Sequence, residues 1–170
     1  MAGAGRDERA WVQGAQRGSA SDLEALFHAH WPAAHRAAYL VVHDAALAED
    51  VAQEAFLAAV RNLDRFDRRR PFGPWLHRIV VNRAIDAARA RTLRREAELT
   101  EHAASVDESG PIDTGVLRAL GGLPPEQRAV IVLRHLLGYT PGEIARLLAL
   151  PRGTVNSRLR RGLDAIRDGL

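Results

Sequence analysis

"PGEIARLLALPRGTVNSRLRRGLDAIR", residues 141–167, decides how this chain is to be read. Ile144, Leu147 and Leu148 form one apolar stripe at helical spacing. Pro151 ends that helix and is well placed to open another. In the second helix Val155, Leu159, Leu163 and Ile166 recur at i, i+4, i+8 and i+11 and are expected to pack inward. That leaves Arg152, Thr154, Asn156, Ser157, Arg158, Arg160 and Arg161 outward or flanking. Two short helices around a tight break make a helix-turn-helix, or else an ordinary helical hairpin with a basic surface. Side chains of these types bond phosphates and base edges in a major groove. Four arginines and no acid between Pro151 and Gly162 point to a polyanionic partner.

The same sign pattern recurs upstream. The 170 residues carry a net charge of only +3, with every cation an arginine, yet the charge is blocked along the chain. Residues 61–95 hold 11 arginines against 3 acids, and residues 146–170 hold 6 against 2. Residues 1–60 hold 4 against 8, and residues 96–145 hold 3 against 8. Two basic surfaces on one small chain suit an extended anion touched at two places.

Between these blocks the pattern is helical throughout. "SDLEALFHAHW" offers Ser21 as an N-cap with Glu24 three residues on, a capping box. "AALAEDVAQEAFLAAVRNL" puts Leu47, Val51, Ala55 and Ala58/Ala59 on one stripe, with Glu49, Asp50, Gln53 and Glu54 largely on the other faces. "PFGPWLHRIVVNRAIDAARAR" opens on prolines and turns Leu76, Ile79, Val80 and Ile85 inward. Residues 93–115 lose the apolar period and end in Ser, Gly, Pro and Asp, which predicts an acidic linker. From Val116 the helical pattern returns. The expected fold is all-α: a helical bundle over 8–92 and a helix-turn-helix domain over 116–170, joined by a flexible linker.

Three fragments in order resemble one family, the extracytoplasmic-function (group 4) sigma factors of bacterial RNA polymerase. "AEDVAQEAF" is similar to the family's region 2.2, "PFGPWLHRIVVNRAIDAAR" to regions 2.3 and 2.4, and "LPPEQRAVIVLRHLLGYTPGEIARLLALPRGTVNSRLRRGLDAIR" to regions 4.1 and 4.2. The resemblance implies roles. Glu49, Asp50, Gln53 and Glu54 would dock on the clamp helices of the polymerase's largest subunit. Arg68, Arg69, Arg70, Phe72, Asn82, Asp86 and Arg89 would melt the −10 element and hold its single strand. Rings among cations suit unstacked bases, although core packing accounts equally for Phe72 and better for Trp75. Arg152, Thr154, Asn156, Ser157, Arg158, Arg160 and Arg161 would read the −35 element. Many relatives carry a basic residue where this chain has Asn156. Implied partners are core RNA polymerase (clamp helices and beta flap), promoter DNA and an anti-sigma factor. Neither a region 1.1 nor a separate region 3 domain is visible.

Other classes fare worse. With no cysteine, thiolate sites and disulfides are excluded. His28, His30 and His35 do not converge on one helix face, so no metal or other cofactor is expected. No catalytic constellation is present and the chain is expected not to be an enzyme. Residues 1–13 lack an apolar signal-peptide core, no run is long enough to span a membrane, and a cytoplasmic location is expected. The rival is a ligand-sensing regulator whose helix-turn-helix binds an operator without polymerase.

Overall fold

The computed structural model of the chain describes residues 4–98 and 114–169. Their regular elements are helices: α1 (Ala4–Gln16), α2 (Ala20–Val42), α3 (Ala45–Asn62), α4 (Phe72–Glu98), α5 (Thr114–Gly121), α6 (Pro125–Ile131), α7 (Pro141–Leu148) and α8 (Arg152–Asp168). A 3₁₀ turn over Leu63–Arg65 follows α3, and a π-helical turn over Val132–Leu136 follows α6.

Local chemistry sets the boundaries. Gly18 takes φ 90°, reversing the chain after α1, and the Ser19 hydroxyl accepts the Asp22 N–H. The cap is therefore Ser19 rather than Ser21, because the glycine turn places Ser19 opposite that free N–H. α2 ends at His43 in the left-handed region, whose N–H donates to the Tyr39 carbonyl. Asp44 then caps α3 by accepting the Leu47 N–H at 2.9 Å. Of the expected linker, residues 99–113 lie outside the described residues, and 93–98 continue α4 instead. Those six residues, "LRREAE", are good helix formers, and a missing apolar period meant exposure, not loss of helix.

In the first module α2, α3 and α4 pack on one another and α1 lies across α2, around fully buried Leu26, Val41, Leu76, Val80 and Val81. In the second, α6, α7 and α8 close on Leu133, Ile144 and Val155. The α8 stripe differs from expectation at one point: Leu163 is 43% exposed and Gly162 is buried in its place. A 3.6-residue period favours 155, 159, 162 and 166, and at 162 the helices approach so closely that a Cβ would stand 2.6 Å from Ile131 Cδ1.

The modules also pack together. α6 rests on α2 and α4, α7 touches α4, and the buried core runs through both. At this seam the Tyr139 hydroxyl and His77 Nδ1 lie 2.7 Å apart, and Arg89 pairs with Glu126.

Candidate nucleic-acid interface

α8 stands on a rigid mount. Thr140 and Glu143 form a capping box at the start of α7, with the Thr140 N–H and hydroxyl both donating to Glu143 Oε2 at 2.8 Å. Those bonds, the backbone one first, hold the Glu143 carboxyl below its usual range. Ala149 turns the chain in the left-handed region and Pro151 starts α8. Val155 and Leu159 face the core, while Arg152, Asn156, Arg160 and Arg161 are exposed and Thr154, Ser157 and Arg158 are half-buried. The Ser157 hydroxyl donates to the Thr154 carbonyl, so it is engaged locally. None of the four arginines has an acid within ion-pair distance among the described residues, although Arg158 lies near enough to Glu126 to help hold its carboxyl down.

The basic loop is anchored from α1. Gln16 Nε2 donates to the carbonyls of Leu63 and Phe66 at its entry, and Glu8 Oε1 accepts the Phe72 N–H at its exit. No periodic signal joins residues 8 and 72 or 16 and 63, and sequence reasoning missed both anchors. Asp67 grips Arg69 through Nε and a terminal nitrogen at 2.9 Å each, and that pair drives the Asp67 carboxyl down to about 2. Arg68 and Arg70 are exposed and have no ion-pair partner among the described residues.

Phe72 corrects an expectation. It is 4% exposed, packed against Phe66, Trp75 and His30, so its ring is an anchor with no free face for a base. Trp75, half-buried, lines a groove of about 410 Å³ with Asn62, Arg65, Arg78 and Asn82. Asn82 was expected there. Arg65 and Arg78 were not singled out for it, and Trp75 was weighed for stacking but read as core, although 75, 78 and 82 share one helical face. That face continues through Asp86 to Arg89, which bonds Glu126 of α6.

On α3 the polar quartet is exposed as expected. Gln53 donates to Glu49, and Glu54 pairs with Arg83 of α4 at 3.2 Å, leaving Glu49 and Asp50 without a basic partner among the described residues. Leu57, 53% exposed, and Val60 extend this face with apolar surface.

A helical first module packed against a helix-turn-helix, each with a basic face, is the arrangement of a DNA-binding protein. The Sigma-70 region 2 family matches residues 26–94 and the Sigma-70 region 4 family residues 114–166. The chain is 36% identical to the ECF RNA polymerase sigma factor SigM of Mycobacterium tuberculosis, over 82% of this chain and 72% of that one. It is 35% identical to the ECF RNA polymerase sigma factor SigW of Bacillus subtilis, over 76% of each. The structure of CnrH in complex with the cytosolic domain of CnrY superposes with a TM-score of 0.71 at 29% identity, covering 95% of this chain and 96% of that one. The sigma factor RpoE of Bartonella quintana, solved with the anti-sigma factor NepR, shares the fold at TM-score 0.73 and 23% identity, over 87% and 96%. The chain belongs to the ECF RNA polymerase sigma factors of the sigma-70 family. The ligand-sensing alternative falls, because the first module is a sigma region 2. No helix among the described residues is long and apolar enough to cross a membrane.

Proposed function

We propose that this chain binds core bacterial RNA polymerase and directs it to promoters by reading the −35 element with α8 and opening the −10 element with the loop and α4. The observation that carries it is the outward face of α8: exposed Arg152, Asn156, Arg160 and Arg161 on a helix-turn-helix, with no acid at ion-pair distance among the described residues. Phosphate contacts set register and base contacts set sequence, and this face offers both kinds of side chain. For the −10 strand the working cations are Arg65, Arg68, Arg70 and Arg78 around Trp75 and Asn82, with Arg89 further along α4. Arg69 is already spent on Asp67, and Phe72 supports the loop from below. Glu49 and Asp50 lead the polymerase-docking face, with Gln53, Glu54 and the apolar Leu57 beside them.

The functional units are residues 8–92, a connection over 93–115 and residues 116–170, with α4 reaching into the connection. An anti-sigma partner is proposed from the 29% identity to CnrH, which was solved bound to the cytosolic domain of CnrY. The chain acts in the cytoplasm and carries no chemistry of its own.

Mixing purified chain with core polymerase and genomic promoter fragments tests the reading. Co-elution with core and run-off transcripts that vanish without the chain are expected. Binding to duplex promoter DNA without core, and no transcript with it, would overturn it.

A further inference from the structure

Away from the faces assigned to DNA, one arginine is buried without a partner. Arg128 of α6 is 6% exposed, and its guanidinium makes no hydrogen bond or ion pair among the described residues. Burial first, then the charge of Arg91, lowers its pKa to about 10, against an upward pull from Glu126. Glu126 is already bonded to Arg89, so its charge is shared. A buried cation without full compensation is costly, and its persistence signals a group that completes it.

There is room for such a group. Arg128 lines a cavity of about 390 Å³ whose other walls include Arg91, Thr92 and Arg95 of α4 and His43 at the end of α2. Among the described residues no carboxylate lines it. Asp44 answers Arg91 from outside at 3.1 Å, and Arg91 also donates to the carbonyls of Val42 and His43. Three guanidiniums thus stand around one space with a single acid paired to them there. The positive field is felt by His43, which is buried with an unpartnered Nδ1 and whose pKa is lowered by burial, then by Arg128 and Arg91. Gly121 lets the turn before α6 approach this ring, since a Cβ would stand 2.6 Å from its Nε2. A water molecule would satisfy donors here and leave the charge. An anion supplies both acceptors and charge.

We propose that this cavity is a binding site for a phosphate group, free or carried on a small molecule, held between Arg128 of α6 and Arg95 of α4 with Arg91 as a third cation. Planar guanidiniums present paired donors that match phosphate oxygens. The volume falls in the range of about 300–1,000 Å³ usual for small-molecule sites, so a phosphomonoester fits as well as the free ion. None of the residues proposed above to touch DNA or polymerase lines the cavity, and the site is independent of that reading.

Calorimetric titration of the full chain in phosphate-free buffer tests it, with inorganic phosphate in one arm and adenosine 5′-monophosphate in the other, at ionic strength fixed by potassium chloride. Saturable binding of one equivalent with a Kd below about 1 mM is expected in at least one arm, and the tighter arm tells free phosphate from phosphomonoester. Arg128→Met keeps an unbranched buried side chain and removes the charge, and should weaken binding about tenfold or more. Arg95→Gln, at an exposed position, should weaken it in the same direction and serves should Arg128→Met impair folding, as checked by far-UV circular dichroism. Arg94→Ala removes an exposed neighbour outside the cavity and should bind as the wild type does. No saturable binding in either arm overturns the proposal. So does binding that the folded cavity variants leave unchanged, or that Arg94→Ala weakens as much as they do, since phosphate would then be only a diffuse counterion of an arginine-rich surface.

Discussion

Ala149 shows how a single residue sets the geometry of reading. Its φ of 54° places a side chain in the left-handed region, at the turn that aims α8. An L-residue with a Cβ adopts this conformation at a cost of roughly 1–2 kcal/mol, which glycine escapes. Ala149→Gly is therefore expected to stabilise the chain by about 0.5–1 kcal/mol, net of glycine's greater unfolded-state entropy. Urea denaturation checks it, and a loss of stability would show that the turn is not strained. On α8 itself, Asn156 and Arg160 are both exposed but predicted to differ. If Asn156 touches a base edge, Asn156→Ala costs the holoenzyme about 1–3 kcal/mol at the preferred base pair and relaxes choice there. Arg160→Ala should weaken all sequences alike and lower the salt slope by about one unit, as for a phosphate contact. A promoter-variant panel at two salt concentrations separates the two, and uniform losses in both variants would make α8 a backbone clamp.

Among the elements, α3 makes the sharpest claim. Its exposed acids are not equivalent, since Arg83 already holds Glu54 while Glu49 and Asp50 have no cation beside them among the described residues. Glu49→Arg with Asp50→Arg should abolish co-elution with core polymerase and leave helix content unchanged, because both side chains are outside the core. Retained assembly would move the docking face elsewhere. The helices α2, α3, α4, α7 and α8 were legible because their apolar residues recur at 3.6-residue spacing and a cap or proline marks their starts, whereas α1 was not singled out. What was not legible came from contacts distant in sequence. Phe72 and Trp75 look alike as aromatics in a basic stretch, and only the packing of Phe66 and His30 buries one and leaves the other on a groove. Likewise Arg69 reads as one of three identical loop cations until Asp67 folds back on it. At 93–98 the charged run was equally compatible with a solvated helix and a linker, and helix propensity decided it.

At the scale of the whole molecule, two histidines at the seam tie stability to pH. His77 is bonded to Tyr139 and faces His30 and Glu8, and burial first, then His30, lowers its pKa to about 4 against a weaker upward pull from Glu8. His43 is lowered in the same direction by burial, then by Arg128 of α6 and Arg91 of α4. In both cases the unfolded chain takes up the proton before the folded one does. The stability contributed by the neutral rings is therefore complete well above pH 6.5 and is lost as the pH falls below it, for His77 down to about 4. For His77 alone this amounts to at most about 3 kcal/mol. His77→Gln should remove close to one proton's worth of that slope, while Tyr139→Phe should retain most of it, since burial rather than the hydroxyl is the main cause. Urea denaturation of the full chain at intervals from pH 7 to pH 4 measures the slope. A wild type whose stability is flat across that window, or a His77→Gln variant that keeps the full slope, would show that His77 titrates normally and that the seam is wetter than the packing of α4 on Tyr139 implies.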